Sequence, residues 1–302
     1  MAAESGLHIS LAAEPIAHIG AFPITNSLLM TWLTMVILIL FALIVRKKIN
    51  TIPTGIQNIF EMVVEYFETL IQSVTQNAKQ TRKFFPIIFT FFIFILLSNY
   101  LGLLPGVGTI TITPKEETHA VAPAEDSHDS PVVDSHSKKA AVKEEAHAAP
   151  VPILRPPNAD LNATLAWSFI SVIAAQIFGI TALGFFGYSG KFFPFHKLFV
   201  MKKGFPTPSF MGFIEFFIGL LEALSEVAKI ISFSFRLFGN VFAGEVLLVV
   251  IAFLASYIAP LPFYGLELFV GLIQALVFAM LTLVFLKIAT LSHGDHEEHN
   301  AH

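Results

Sequence analysis

The chain has 302 residues, of which 55% are hydrophobic and only 13% charged, and its mean hydropathy is +0.71. A soluble domain carries about 25% charge, so this composition excludes an ordinary soluble enzyme and points to an integral membrane protein with several helical spans. Zero cysteines exclude disulfides, Cys-zinc sites, iron–sulfur clusters and thiol catalysis, and a net charge of −4 provides no basic footprint for nucleic acid.

Residues 1–27 form an outer N-terminal segment with Pro15, Pro23 and no uninterrupted apolar run. No basic start followed by an apolar stretch is present, so no cleavable signal is expected. An uncharged run at 28–45 predicts a first span. Arg46, Lys47 and Lys48 follow at once. Basic residues stay on the cytoplasmic side, so this span is expected to run inward. Over 56–78, Ile59, Phe60, Val63, Phe67, Leu70, Ile71 and Val74 recur at helical spacing, opposite Glu61, Glu65 and Glu68. That pattern predicts an amphipathic helix on the cytoplasmic membrane surface. A second span follows at roughly 84–104, so that 28–105 holds two spans and the surface helix.

Residues 106–160 form an outer polar segment. Between Lys115 and His147 its acids outnumber its lysines by eight to four, a difference that equals the formal charge of the whole chain. This loop is expected to be largely disordered. The unit 161–208 holds a third span and a cytoplasmic loop marked by Lys191, Lys197, Lys202 and Lys203. The stretch 209–258 contains no proline. As one helix it would reach roughly 75 Å, over twice the apolar thickness of a bilayer, and so must break or tilt steeply. Pro260 and Pro262 turn the chain into a final helix, and 209–291 is therefore a helical hairpin. A His-rich cytoplasmic tail, 292–302, completes the chain. The fold class expected is an all-α integral membrane protein. It has five membrane-embedded helical segments, the last two a long tilted hairpin, plus the amphipathic surface helix.

Arg236 lies in mid-membrane, where an arginine costs from about 2.5 kcal/mol upward and cannot shed its proton. Glu222, Ser225, Lys229, Ser232, Arg236 and Asn240 are spaced by three or four residues and share one helical face. Such a polar seam, roughly 27 Å long, is either interhelical hydrogen-bond glue or the lining of an aqueous path. The charges in the row favour water. Glu245, nine residues past Arg236, falls on the opposite face. On the last helix Glu267 and Gln274 share a face, and an offset tilt would bring Glu267 to Glu245. Two acids in one low-dielectric site cannot both ionise cheaply, which is the chemistry of a proton relay.

The string from Ser232 through Arg236-Leu-Phe-Gly-Asn240 to Ala243-Gly-Glu245 closely resembles the signature of subunit a of rotary Fo-type ATP synthases. Leu272-Ile-Gln274-Ala-Leu-Val-Phe278 is similar to the last-helix motif of that family. Asn99 through Pro105 and Asn158 through Leu165 resemble the end of its earlier span and the start of its next one. The resemblance implies a stator beside a rotating ring of c-subunit proteolipids, each with one carboxylate, and peripheral-stalk b subunits in the same F-type complex. It implies that Arg236 is the essential arginine and Asn240 its neighbour. Glu245 and Gln274 would belong to an outer half-channel, Glu222 and Ser225 to an inner one. Ser232 and Lys229 fall on polar family positions. Glu267 stands where other members carry histidine or an acid, and Gly102 where some carry an acid. Outer access then falls to Asp160, Asn162 and the glutamate pair.

These readings predict a proton-carrying stator with no bond-making chemistry of its own, in the lipid bilayer of a bacterial plasma (inner) membrane. No phosphate-binding loop, cofactor or nucleic-acid partner is expected, and the carried ion is H⁺ or Na⁺. The alternative is a self-contained secondary transporter, which would need internal repeats. His293, His296, His299 and His302 read as a solvated tail rather than a metal site.

Overall fold

The computed structural model describes residues 13–19, 22–47, 55–108, 110–112, 151–184, 188, 199–202, 205–208, 210–255 and 258–291. Six long helices dominate: α1 (Asn26–Lys47), α2 (Ile56–Thr75), α3 (Ala78–Gly102), α4 (Leu161–Leu183), α5 (Phe210–Leu254) and α6 (Pro260–Thr290). Three short antiparallel ribbons accompany them: β1 (Pro15–Ile19) with β2 (Phe22–Thr25), β3 (Thr111–Ile112) with β4 (Val151–Pro152), and β5 (Phe199–Lys202) with β6 (Phe205–Pro208). All helices but α2 are long and apolar enough to cross a bilayer. The chain is an all-α, multi-pass membrane protein.

On the first helix burial runs opposite to the pattern of a soluble protein. On α1 the buried residues are Asn26, Ser27, Met30 and Thr34, while Val36, Ile39, Leu40 and Ile44 are exposed. Lipid is as apolar as leucine, so apolar side chains gain nothing by turning inward, and small polar ones pair between helices. Thr164 and Ser234 hydroxyls lie 3.0 Å apart across α4 and α5, and Ser171 and Thr282 lie 2.8 Å apart across α4 and α6. On α6 the buried face carries Gly271, Ala275, Ala279 and Ala289, small residues that allow close helix approach. Helix α6 is central, packed on α3, α4 and α5. Phe67, Phe84, Phe91, Phe92, Phe94, Phe233 and Phe278 fill the spaces between helices.

Asn77 caps α3, its side chain accepting from the backbone N–H of Lys79 at 2.9 Å and of Gln80 at 3.4 Å. The preceding Gln76 takes a left-handed conformation (φ 54°) and turns α2 back against α3. Phe67 of α2 is buried, 4.4 Å from the Phe92 ring, while Glu61, Glu65 and Glu68 stay exposed.

Helix α5 is unbroken over 45 residues. At 1.5 Å per residue it is about 68 Å long, so of the two options in the sequence, tilt rather than a break fits it into a bilayer of about 30 Å.

The expectation of a disordered loop over 106–160 is corrected at its ends; residues 113–150 lie outside the described residues. The strands β3 and β4 pair, Ile153 N–H donates to Ile110 O (2.9 Å), and Gly108 N–H donates to Leu154 O (3.1 Å). Residues 155–160 are all buried against the helices. Pro156 and Pro157 stiffen the chain, and a long-range bond anchors it: Asn158 Nδ2 donates to Asn99 Oδ1 at 2.7 Å.

Candidate ion path

Helix α5 has a docked face and an open one. Phe233, Ser234, Leu237, Phe238 and Gly244 are buried, whereas Ile231, Ser232, Phe235, Arg236, Gly239, Asn240 and Ala243 are exposed. The Arg236 guanidinium projects from the open face. Among the described residues it has neither a hydrogen bond nor an ion pair. An unpaired cation on an apolar helix in lipid is expensive, so this face calls for a partner outside the chain.

The opposite side of α5 carries Glu245. Glu245 Oε2 accepts from Arg155 Nε and Nη2, both at 3.4 Å, and the Arg155 guanidinium lies 5.9 Å from the centre of the Phe242 ring. Glu267 of α6 lies directly over the backbone of Gly244, where any Cβ would overlap its carboxyl group. Glu245 and Glu267 thereby line one cavity of about 270 Å³, with Asn99, Gly102, Pro156 and Tyr264 also on its wall. Both acids of the pair expected from the tilted hairpin lie on the wall of this cavity. Glu267 makes no hydrogen bond or ion pair among the described residues. Asn240 Nδ2 donates to Gln274 Oε1 at 2.7 Å, joining α5 to α6 beside the arginine.

A second polar group occupies the other end of α5. Lys229 Nζ donates to Glu226 Oε1 at 2.5 Å and lies 4.8 Å from the centre of the Phe285 ring. Tyr188 is buried, fills the notch at Gly179 and donates to Gln176 Oε1 at 2.5 Å. Burial pushes its phenol up to about 12, and the nearby Glu226 and Glu222 carboxylates add to the effect. Tyr188 therefore stays a hydrogen donor at any working pH. Glu222 is half-buried, while Ser225 and Ser232 are exposed on the open face. Along α5, Glu222 lies about 21 Å from Arg236 on one side and Glu245 about 14 Å on the other. Two polar clusters thus flank the arginine, one towards each end.

Asp160 and Asn162 do not line the cavity. Asp160 is buried, accepts from Ser27 Oγ at 2.8 Å and from the Asn162 backbone N–H at 3.0 Å, and so caps α4 while tying it to α1. Asn162 is exposed. The His-rich tail lies outside the described residues; among those described, no group of acids and histidines is placed to hold a metal ion.

Sequence reasoning missed Arg155, Glu226, Gln176, Tyr188 and the role of Gly244. Glu226 carried a signal, since it lies four residues after Glu222 and three before Lys229. Arg155 sat in a stretch read as polar loop, and only the fold brings it to a residue 90 positions away.

A family model described as "ATP synthase A chain" matches residues 28–287. Curated relatives cover nearly the whole chain. ATP synthase subunit a of Moorella thermoacetica is 28% identical over 279 residues, 92% of this chain and 96% of that protein. The protein of the same name from Syntrophobacter fumaroxidans is 29% identical, covering 93% of this chain and 90% of its own length. That from Gloeobacter violaceus is 29% identical, covering 98% and 94%.

Proposed function

The chain belongs to the ATP synthase A chain family, and from that premise we propose that it is the stator subunit of the membrane motor, carrying protons to and from the carboxylates of a rotating c-ring through two offset half-channels. The observation that carries this reading is the placement of Arg236. It stands on an uncovered helix face, unpaired among the described residues, between two polar clusters at opposite ends of α5.

A proton enters at the hairpin end, through the cavity holding Glu245 and Glu267, and passes Gln274 and Asn240 to a ring carboxylate. The neutralised acid can face lipid, and the ring carries it round. It unloads towards Glu222, Ser225 and the cluster of Glu226, Lys229 and Tyr188. Arg236 favours the ionised ring carboxylate only where that group passes, and its charge repels a hydronium that would otherwise cross directly. Each charge crossing the membrane potential supplies about 2.3 kcal/mol per 100 mV. Ser232 shares the open face of α5 with Arg236 and lies beside the ring helix.

Peripheral-stalk b subunits complete the stator. The chain sits in a bacterial plasma membrane with its N-terminus and hairpin end outside and its C-terminus in the cytoplasm, because Arg46, Lys47, Lys79, Arg82 and Lys83 all lie at the opposite end. In this reading the ion is H⁺, which the carboxyl groups of the candidate path can take up and release.

Reconstitution tests this reading. The purified chain alone in liposomes is expected to give no coupled proton flux. The same chain with its ring and the rest of the complex is expected to restore ATP-driven flux. Coupled flux from the chain alone would favour a self-contained transporter instead.

A further inference from the structure

Arg155 is one of the most deeply buried charges described, 4% exposed, and it is held by backbone rather than left to find its partner. Pro156, directly after it, sinks into the notch at Gly102, where an added Cβ would lie 2.6 Å from Pro156 Cγ. Before it, Leu154 O accepts from Gly108 N–H at 3.1 Å, and three residues on, Asn158 is tied to Asn99. The segment is thus clamped on both sides of Arg155. The clamp delivers two guanidinium nitrogens to one oxygen of Glu245, on the wall of the cavity shared with Glu267. The two acids of the cavity are therefore unequal: Glu245 is ion-paired, and Glu267 is unpaired among the described residues.

We propose that Arg155 is a positioning residue of the loading cavity: its guanidinium fixes the Glu245 carboxylate as a charged wall and leaves Glu267 as the carboxyl that exchanges protons with the cavity. This rests on the reading of the hairpin end as the outer half-channel. An ion pair of this kind orders the carboxylate geometrically and stops it from sharing a proton freely with its neighbour. Among the described residues, the other titratable groups at this end are Tyr264 on the cavity wall, Tyr100 beside Gly271, Asp160 engaged with Ser27, and Glu14 ahead of β1. Helices α1, α3 and α4 bring no further charge here, since the charged residues of α1 and α3 lie at the opposite end and α4 has none.

The test uses the assembled complex in liposomes, with outer and inner pH set independently at a fixed membrane potential and ATP synthesis as the readout. Arg155→Gln is expected to move the outer-pH midpoint by about one unit, the scale of a lost charge contact, and to leave the inner-pH dependence unmoved. Arg155→Lys keeps the charge without the planar fork and is expected to move it by about half as much. Arg155→Gln combined with Glu245→Gln is expected to be less impaired than the product of the single effects, because neither charge is then left buried alone. A wild-type outer-pH profile in either single variant, an equal shift on both sides, or strictly multiplicative effects in the double variant would overturn the proposal. If Arg155→Gln does not assemble, the profile of Arg155→Lys decides. A silent Arg155 in a complex that still fails on loss of Arg236 would refute this proposal alone and leave the stator reading standing.

Discussion

Replacing Arg236 by alanine is expected to lower coupled proton transport at least a hundredfold in fully assembled complex. A cation about 4 Å from a carboxylate, at the effective dielectric of about 20 suited to protein sites, contributes on the order of 4 kcal/mol. Part of that is offset by desolvation, and a loss of about 2.7 kcal/mol already corresponds to a hundredfold. Lys229, the next cation along α5, does not stand in for it, because it is turned to Glu226 and the Phe285 ring. Arg236→Lys is expected to recover only part of the activity, since an ammonium is a compact, strongly hydrated charge without the planar fork. ATP-driven acidification of vesicles, normalised to assembled complex, measures both. Undiminished transport in Arg236→Ala would remove the role given to this residue.

Gly244→Val is the second large effect expected. The Glu267 carboxyl lies against the Gly244 backbone, so any side chain there displaces it. Either α6 moves away from α5 or the carboxyl leaves the cavity. Overpacking of this kind costs about 1–3 kcal/mol, and the misplaced acid is expected to lower proton transport at least tenfold. Gly244→Ala is expected to act in the same direction with a smaller effect. Glu267→Asp, shorter by one methylene, is expected to restore part of the loss in Gly244→Ala. Vesicle acidification reads all three. Wild-type rates in Gly244→Val would mean that the position of the Glu267 carboxyl does not matter for loading.

What the sequence disclosed and what it hid divide along physical lines. Ionisable residues in apolar runs are expensive enough to stand out, so Arg236, Glu245, Glu267 and Gln274 were legible without a fold. The five spans were legible for the same reason, from the length and apolarity of their runs. Helical phase predicted that Arg236 and Glu245 face apart, and they do: one is on the open face, the other at the cavity. What stayed hidden depends on contacts between distant segments. Nothing in the sequence around Arg155 says that it meets Glu245, and the notch at Gly244 matters only once the rotation of α6 is known. Asp160 has a structural role that its local sequence also signalled. An aspartate just before a helical run is an N-cap signal, and here that local role, together with the bond to Ser27, engages both carboxylate oxygens.

The central claim is that the open face of α5 around Arg236 meets the moving carboxylates of the ring. The chain contains no cysteine, so single cysteines can be placed in it without background from its own thiols. The most direct measurement is disulfide cross-linking, in intact membranes, between cysteines on α5 and a cysteine next to the ring carboxylate. Cross-links are expected from Ser232, Asn240 and Ala243, which are exposed beside Arg236, and not from Ser234, Leu237 or Gly244, which are buried against the chain's own helices. Cross-links from the second set, or none from the first, would contradict the account.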